Sequence, residues 1–549
     1  MGAMETTKEQ TKQSNTEAQP LSLEALEELV RKQDQTITEL TAQVKWYQEQ
    51  FRLLQQKRYG ASSEKTTPVE QQTLVFNETE QLADPQASEP DVEQITYERT
   101  KQRKSRGEDF SDLPVETIEY ELPEDERHCP SCEGTLHSMK QEVRRELKIV
   151  PAQVSVVEHI RHIYTCRSCQ DTQGDGPVPI VGAPAPKPVL PKTMVSPSLL
   201  AHLMSQKYVN GLPLYRQEQY FKRQGIPISR QNMANWMLAG AEQWLRPLYG
   251  RMHELLVDRT VLHGDETVLQ VLREDGRSAT TTSYMWLYRT GRDDTPIVLY
   301  DYQTTRASKH PVRFLKSFKG YLQVDGYAGY HALEPEVTLV GCWAHARRKF
   351  DEALKALPAE KQDADVPAKT GLEYCNRLFA IERTIREQSL DTQQRHQYRQ
   401  EHSRPVLEAF SAWIKQQQQS ALPKSAYGQA LTYCRNQWPK LQAYLEDGRL
   451  EIDNNRAERA IKPFVIGRKN WMFCNTGRGA EASAMIYSVI ETAKENGLNP
   501  EAYLTWLFEQ LPNADLNGPD VLDSFMPWSE MLPDNLRKPT KKVTNAPAK

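Results

Sequence analysis

Between residues 261 and 325 apolar, β-branched runs follow one another too closely for surface loops. Val261–Leu272, Ser283–Arg289, Pro296–Tyr302 and Tyr321–Val324 read as buried strands, with a helical Ser308–Phe318 before the last. This strand-strand-strand-helix-strand order predicts a mixed sheet with helices against it. Acidic residues interrupt or end two of the strands: Asp265 within VLHGDETVLQVL and Asp325 directly after GYLQV. A third, Glu458, lies far downstream in EIDNNRAERAIKPF, a short polar helix with Asp453 or Asn454 available as its N-cap and Pro463 expected to end or kink it. Side chains alternate along a strand, so Asp265 and Glu266 point to opposite faces and only one of them joins a common site.

Two strand carboxylates and one helical carboxylate suit a pair of divalent cations. Such cations, about 3.5–4 Å apart, activate an attacking water or hydroxyl and stabilise the leaving oxygen of an in-line displacement at phosphorus. Hard carboxylate oxygens favour Mg²⁺, with Mn²⁺ as a substitute. Asn454, Glu458 and Lys462 fall on one helical face, which puts an amide and an ammonium beside the carboxylate, although Glu458–Lys462 also fits a surface ion pair.

The net charge of −4 argues against a general polyanion binder, but the acidic surplus sits in the low-complexity stretch from about Glu64 to Glu126. Elsewhere the sign reverses. Arg306–Lys349 carries eight Lys or Arg against three acids, and Arg456–Arg478 carries six against Glu458 alone. Both patches flank the acidic residues, and His345, Arg347, Arg348, Lys349, Lys462, Arg468 and Lys469 are candidate phosphate contacts, with Trp471 extending a basic-aromatic segment suited to base stacking. His345 also fits an ordinary helix-start histidine. No apolar run approaches the roughly 20 residues that span a bilayer, and mean hydropathy is −0.70, so a soluble, cytoplasmic protein is expected. Met1–Met4 reads as an appended segment with no leader behind it.

The N-terminal region shows a different period. Leu23, Leu26, Val30, Gln33, Ile37, Leu40, Val44, Tyr47, Phe51 and Leu54 recur at alternating steps of three and four, a heptad seam with one polar interruption. It predicts a coiled coil and self-association. Cys129-Pro-Ser-Cys132 and Cys166-Arg-Ser-Cys169 form two Cys-x2-Cys knuckles, whose thiolates suit a tetrahedral structural zinc site; His128, His159 and His162 are competing ligands. Beyond a Pro-rich connector, Val181–Lys192, three apolar-periodic segments are punctuated by Gly211-Leu212-Pro213 and Gly225-Ile226-Pro227. Ser229 caps the last, whose first turns present Arg230, Gln231, Asn232 and Asn235, as a helix-turn-helix does to DNA.

The motifs YGASSEK (Tyr59–Lys65), the paired knuckles, NGLPLYRQEQYFKRQGIPISRQNMANW (Asn210–Trp236), GCWAHARRKFDEA (Gly341–Ala353) and ERAIKPFVIGRKNWMF (Glu458–Phe473) resemble, in order, the transposases of the insertion sequence 66 family. That family belongs to the DDE class with a ribonuclease H-like catalytic core. The resemblance implies that Asp265, Asp325 and Glu458 are the catalytic, Mg²⁺-binding triad, and it selects Asp265 over Glu266. Gly264, Val268 and Gln170 depart from the expected pattern without altering that assignment.

The expected architecture is multidomain α/β: a coiled coil at 20–58, an acidic linker at 64–110, a zinc-binding ribbon at 111–180, a helix-turn-helix-like region at 193–250, a core at 256–350 and 451–512 split by a helical insertion at 351–450, and a loosely ordered tail at 513–549. The expected partners are double-stranded DNA at element ends and target, a second copy of the chain forming a dimer, and accessory proteins of the same element, with no membrane. Two rival readings are a DNA-binding regulator without catalysis and a ribonuclease H-like nuclease acting on branched DNA.

Overall fold

The computed structural model describes residues 23–59, 153–165, 180–362 and 364–537. Cys129, Cys132, Cys166, Cys169 and the acidic linker lie outside them. The chain divides into two compact units, one of residues 1–68 and 189–536 and the other of 69–188 and 537–549. Within the second, the described residues hold a two-stranded antiparallel sheet of β1 (Ile163–Thr165) and β2 (Ile180–Gly182).

In the first unit, α1 (Leu23–Tyr59) is one continuous helix. Val30, Ile37, Leu40, Val44, Tyr47 and Phe51 of its seam face water, with Ile37 60% and Phe51 62% exposed. Three helices follow, α2 (Pro197–Tyr208), α3 (Leu214–Arg223) and α4 (Arg230–Gly240), and α4 runs through a π-turn into α5 (Arg246–Val257). Ser229 caps α4 as expected, its hydroxyl accepting from Asn232 N at 3.2 Å.

The central sheet has the order β5-β4-β3-β6-β7, from β3 (Val261–Arg273), β4 (Thr282–Thr290), β5 (Val298–Gln303), β6 (Gly320–Gln323) and β7 (Val337–Val340). The first three strands pair antiparallel as a meander. β6 and β7 add in parallel beyond β3, with the short helix α6 (Lys309–Phe314) in the crossover. After β7 the chain enters α7 (Trp343–Lys355) and then the insertion, α8 (Pro367–Glu387), α9 (Thr392–Gln417) and α10 (Ala426–Gln442). It returns in α11 (Asn455–Trp471), β8 (Cys474–Thr476), which pairs parallel with β3, α12 (Gly477–Glu495) and α13 (Pro500–Gln510). The free edge of β5 is covered by α12. Ser488 Oγ accepts from Tyr300 N at 2.8 Å, and Thr492 Oγ1 both accepts from Val298 N and donates to Val298 O at 3.0 Å, so buried edge groups that would otherwise lack partners are satisfied.

Two expectations are corrected. Pro463 does not end α11, which runs on to Trp471, because Ala457, Ala460, Ile461, Phe464 and Gly467 bury one face and their packing outweighs the single hydrogen bond that proline removes. The tail is not loose up to Leu536. Phe525, Met526, Leu532 and Leu536 are buried, Tyr503 donates to Phe525 O at 2.5 Å, and Arg251 pairs with Asp523 at 2.7 Å.

The insertion has its own core, in which Trp413, Trp438 and Tyr444 pack with Phe410 and Trp343. Its polar centre is Arg399, fully buried on α9. Arg399 holds Glu382 of α8 through two bonds (2.6 and 2.9 Å) and donates to the carbonyls of Tyr444, Asp447 and Leu450. Removing one partner of such a pair strands the other charge. Arg399→Ala is expected to destabilise this part of the chain by about 3–5 kcal/mol, and Arg399→Met with Glu382→Leu to recover most of that, as read by thermal melting.

Candidate active site

The parallel pairing of β3 with β6 sets the site. His263 is opposite Gln323 in that register, so Asp265, within β3, and Asp325, two residues past the end of β6, each follow a paired residue by two positions. The period of two then gives His263 and Asp265 one face of β3, the face that Gln323 shares on β6. That face meets the segment leading into α11, because His263, Gln323 and Gly264 all bond to residues 451–454.

Asp265 Oδ1 accepts from Glu266 N at 2.8 Å and Asp325 Oδ1 accepts from Tyr327 N at 3.0 Å. Burial, then the charges of Glu266, Asp325 and Glu458, push the Asp265 carboxyl up to about 8. These carboxylates are therefore close enough to repel through a poorly solvated site. Glu266 has other partners: Arg306 Nε at 2.8 Å, Arg306 Nη2, and the Tyr330 hydroxyl at 2.8 Å. Burial and Asp325 nonetheless raise it. Tyr330 also explains Gly264, where a β-carbon would stand 3.3 Å from its hydroxyl.

Glu458, in the first turn of α11, has His345 Nε2 3.9 Å from Oε1, too far for a hydrogen bond. Glu458 Oε1 and His345 Nδ1 are buried without hydrogen-bond partners. Burial lowers the basicity of His345, with Glu458 and Asp325 opposing and Arg348 and Lys349 assisting. Cys342, Sγ accepting from Asn454 N at 3.2 Å, is a neutral thiol that burial pushes up to about 12. Among the described residues the tightest group of metal-ligating atoms is Cys342, His345 and Glu458, all within 4.8 Å. Asp265 and Asp325 are not part of that group. The donor set fits a hard divalent cation nonetheless: a carboxyl at about 8 beside two others, and an orphaned Glu458 oxygen, are the features that a positive charge would relieve.

The expected N-cap has another role. Asn454 makes no side-chain cap, and Asp453 instead accepts from Asn455 N at 3.1 Å. The fully buried Asn454 amide donates to Gly264 O at 2.8 Å and accepts from His263 Nδ1 at 3.0 Å, so it is not beside Glu458 as a metal-orienting group. His263 Nε2 lies 3.2 Å from Glu451 Oε2. Burial alone would raise Glu451, but His263 and Arg456 outweigh it and hold its carboxyl well below the usual range. His263, Gln323 and Glu451 were not singled out from sequence. A histidine and a glutamine inside apolar strands are the signal, since buried polar groups require partners.

The basic candidates divide. Arg348, Lys462 and Lys469 are exposed, Arg468 bonds Thr267 Oγ1 at 3.3 Å, Arg347 bonds Asn376 at 2.8 Å, and Lys349 lies over the Tyr433 ring at 5.2 Å. Trp471 packs edge-on against Phe464 at 5.5 Å, and its neighbours Met472 (67% exposed) and Phe473 (43%) face water instead. On α4, Arg230, Gln231, Asn232 and Asn235 are exposed, as a DNA-facing surface requires.

Residues 192–482 match the family model described as "Transposase IS66 family", and 126–170 match the zinc-finger binding domain of transposase IS66. Residues 488–528 match the IS66 C-terminal element, and 46–118 the "Transposase C of IS166 homeodomain". Among relatives from Sinorhizobium fredii (strain NBRC 101917 / NGR234), the uncharacterized protein y4jD is 30% identical over 488 residues, covering 86% of this chain and 92% of its own. The uncharacterized protein y4qI is 32% identical over 434 residues, 75% of each. The chain therefore belongs to the IS66 transposase family and carries that family's zinc-finger domain.

Proposed function

We propose that this transposase binds the terminal inverted repeats of its mobile element and cuts and joins DNA strands through Asp265, Asp325 and Glu458. The observation that carries the proposal is that Asp265 on β3 and Asp325, just beyond the end of the parallel strand β6, stand close enough to Glu458 of α11 for the charges of both to act on Asp265. The strand order β5-β4-β3-β6-β7, three antiparallel strands followed by two parallel ones, supports a ribonuclease H-like core. Asp265, Asp325 and Glu458 would hold two Mg²⁺ ions, or Mn²⁺, whose chemistry is Lewis-acid stabilisation of the attacking and leaving oxygens at phosphorus. The chain's own residues orient the DNA. Arg348, Lys462 and Lys469 are exposed and free to neutralise backbone phosphates around the cut, while His345 lies 3.9 Å from Glu458. Arg230, Gln231, Asn232 and Asn235 read the end sequence from α4.

Cys129, Cys132, Cys166 and Cys169 hold a structural Zn²⁺ in this proposal, closing the zinc-finger domain without a part in the chemistry. The exposed α1 seam supports pairing of two copies, so that two element ends are held together, with accessory proteins of the element as further partners. No helix among the described residues is long and apolar enough to cross a membrane.

The direct test incubates the protein with Mg²⁺ and duplex DNA carrying the repeats that flank its gene. Wild type is expected to cut or join at the end, and Asp325→Asn to fall by about 1,000-fold while still shifting the DNA. If both proteins shift the DNA and neither cuts, the chain is a regulator or lacks an accessory partner; structure-selective cutting independent of the end sequence makes it a branched-DNA nuclease.

The repulsion also predicts a pH dependence. Asp265 holds its proton up to about 8 when folded, against about 4 when unfolded. The folded state therefore binds more protons across that window, and stability of the metal-free protein falls as pH rises through it and levels above. Melting scans from pH 5 to 9 should show this slope, reduced in Asp265→Asn. Mg²⁺ should raise the melting temperature more at pH 8 than at pH 5, because the carboxylates must be deprotonated to bind it.

If the seam pairs two copies, Ile37→Lys with Val44→Lys should halve the mass measured by light scattering and leave binding to a single DNA end intact.

A further inference from the structure

Residues 451–454 touch all three elements that carry the other candidate site residues. Gln323, two residues before Asp325, treats Glu451 as a strand partner: its amide donates to Glu451 O at 2.6 Å and its carbonyl accepts from Glu451 N at 3.3 Å. Ile452 O accepts from Trp343 N at 3.0 Å, and Asn454 N donates to Cys342 Sγ at 3.2 Å, tying the segment to the start of α7, which carries His345. Asn454 Nδ2 donates to Gly264 O, on the residue preceding Asp265. That bond orients the amide and leaves Oδ1 for His263 Nδ1–H. Gln323, His263 and Asn454 are each completely buried. The segment then becomes the first turn of α11, with Glu458 N bonded to Asn454 O at 3.2 Å. Glu458 is thus one helical turn from an amide bonded to the strand of Asp265.

We propose that Asn454 is a positioning residue of the active site, whose side-chain amide fixes Glu458 relative to Asp265. It touches neither substrate nor metal. The inference rests on the reading of Asp265, Asp325 and Glu458 as metal ligands, and extends it to the group that aligns them. Mg²⁺ demands near-ideal octahedral geometry, so small errors in this alignment weaken its site. Partners that orient ligands from behind, when removed, typically reduce metal affinity or activity by about 10- to 100-fold.

The test measures Mn²⁺ binding to the full-length protein by electron paramagnetic resonance, taking as the site's occupancy the part lost in Asp325→Asn. Asn454→Ala is expected to bind that Mn²⁺ about 10- to 100-fold more weakly, to lose end cleavage in Mg²⁺ more than in Mn²⁺, and to shift end DNA as wild type does. Wild-type Mn²⁺ affinity with a lowered melting temperature would make Asn454 a structural clamp only and overturn the proposal. Should Asn454→Ala not fold, Gln323→Ala, which frees Glu451 from the Asp325 strand, is read the same way; unchanged affinity there overturns the proposal too. A wild type with no Asp325-dependent Mn²⁺ binding removes the metal reading itself. Wild-type cleavage beside an unimpaired Asn454→Ala removes the positioning role alone.

Discussion

The side-chain amide of Asn454 ties the returning part of the core to the strand that carries Asp265. Asn454 sits at the end of a long excursion from the sheet, and its bonds to Gly264 and His263 are the point at which the returning chain is registered against β3. A backbone carbonyl in the middle of a sheet is ordinarily committed to its neighbouring strand. Gly264 O is available because β6 ends early: its parallel pairing with β3 runs only from Val261↔Tyr321 to His263↔Gln323. The early end of β6 frees both the carbonyl that Asn454 uses and the backbone that lets Asp325 turn into the site.

The same end of the sheet carries most of the electrostatic strain. Asp265, Glu266, Asp325, Asp453 and Glu458 converge there, and burial raises three of them, Asp265, Glu266 and Asp453. The fold separates those that it neutralises from those that it does not. Glu266 receives Arg306 and Tyr330, and Glu451 receives His263 and Arg456. Asp265 receives one backbone N–H, and one oxygen of Glu458 receives nothing. Glu266 and Glu451 are thus satisfied, while Asp265 and Glu458 are left under-compensated. That difference in partners, more than the count of carboxylates, is what supports the proposed site.

Much of this was legible in the chain, for identifiable reasons. The strands were readable because β-branched runs bounded by polar turns have few alternative structures, and Asp265 and Asp325 stand out as charges in such runs. Ser229 was readable as a cap because capping is local. The failures are tertiary. Asn454 satisfies the local rule for a cap but spends its amide on a strand 190 positions away in sequence. Pro463 satisfies the rule for a break, yet the buried face of α11 holds the helix through it. Trp471 looked like a stacking platform, whereas its half-buried ring packs edge-on against Phe464 and beside Gly467. The Pro- and Asp-rich tail concealed four apolar anchors, because composition averages over the residues that pack. The paired cysteines remain a sequence inference joined to a family match, since they fall outside the described residues.

The geometry also explains how the helical insertion at 351–450 can intervene between Asp325 and Glu458 without loosening Glu458. The entropy of closing a loop grows only with the logarithm of its length, so what matters is whether the ends are fastened. They are fastened to each other. Gly341 N donates to Lys440 O at 2.8 Å, the Trp343 indole to Leu441 O at 2.7 Å, and Trp343 N to Ile452 O at 3.0 Å, so the insertion leaves and re-enters the core at one place. From inside, Arg399 binds the carbonyls of Tyr444, Asp447 and Leu450, the residues immediately before the segment that Gln323 and Asn454 hold. Each side of residues 444–454 is therefore gripped, by the insertion on one side and the sheet on the other. The insertion can vary in its outer helices without moving Glu458, provided that Arg399 and the 341–343 contacts are kept.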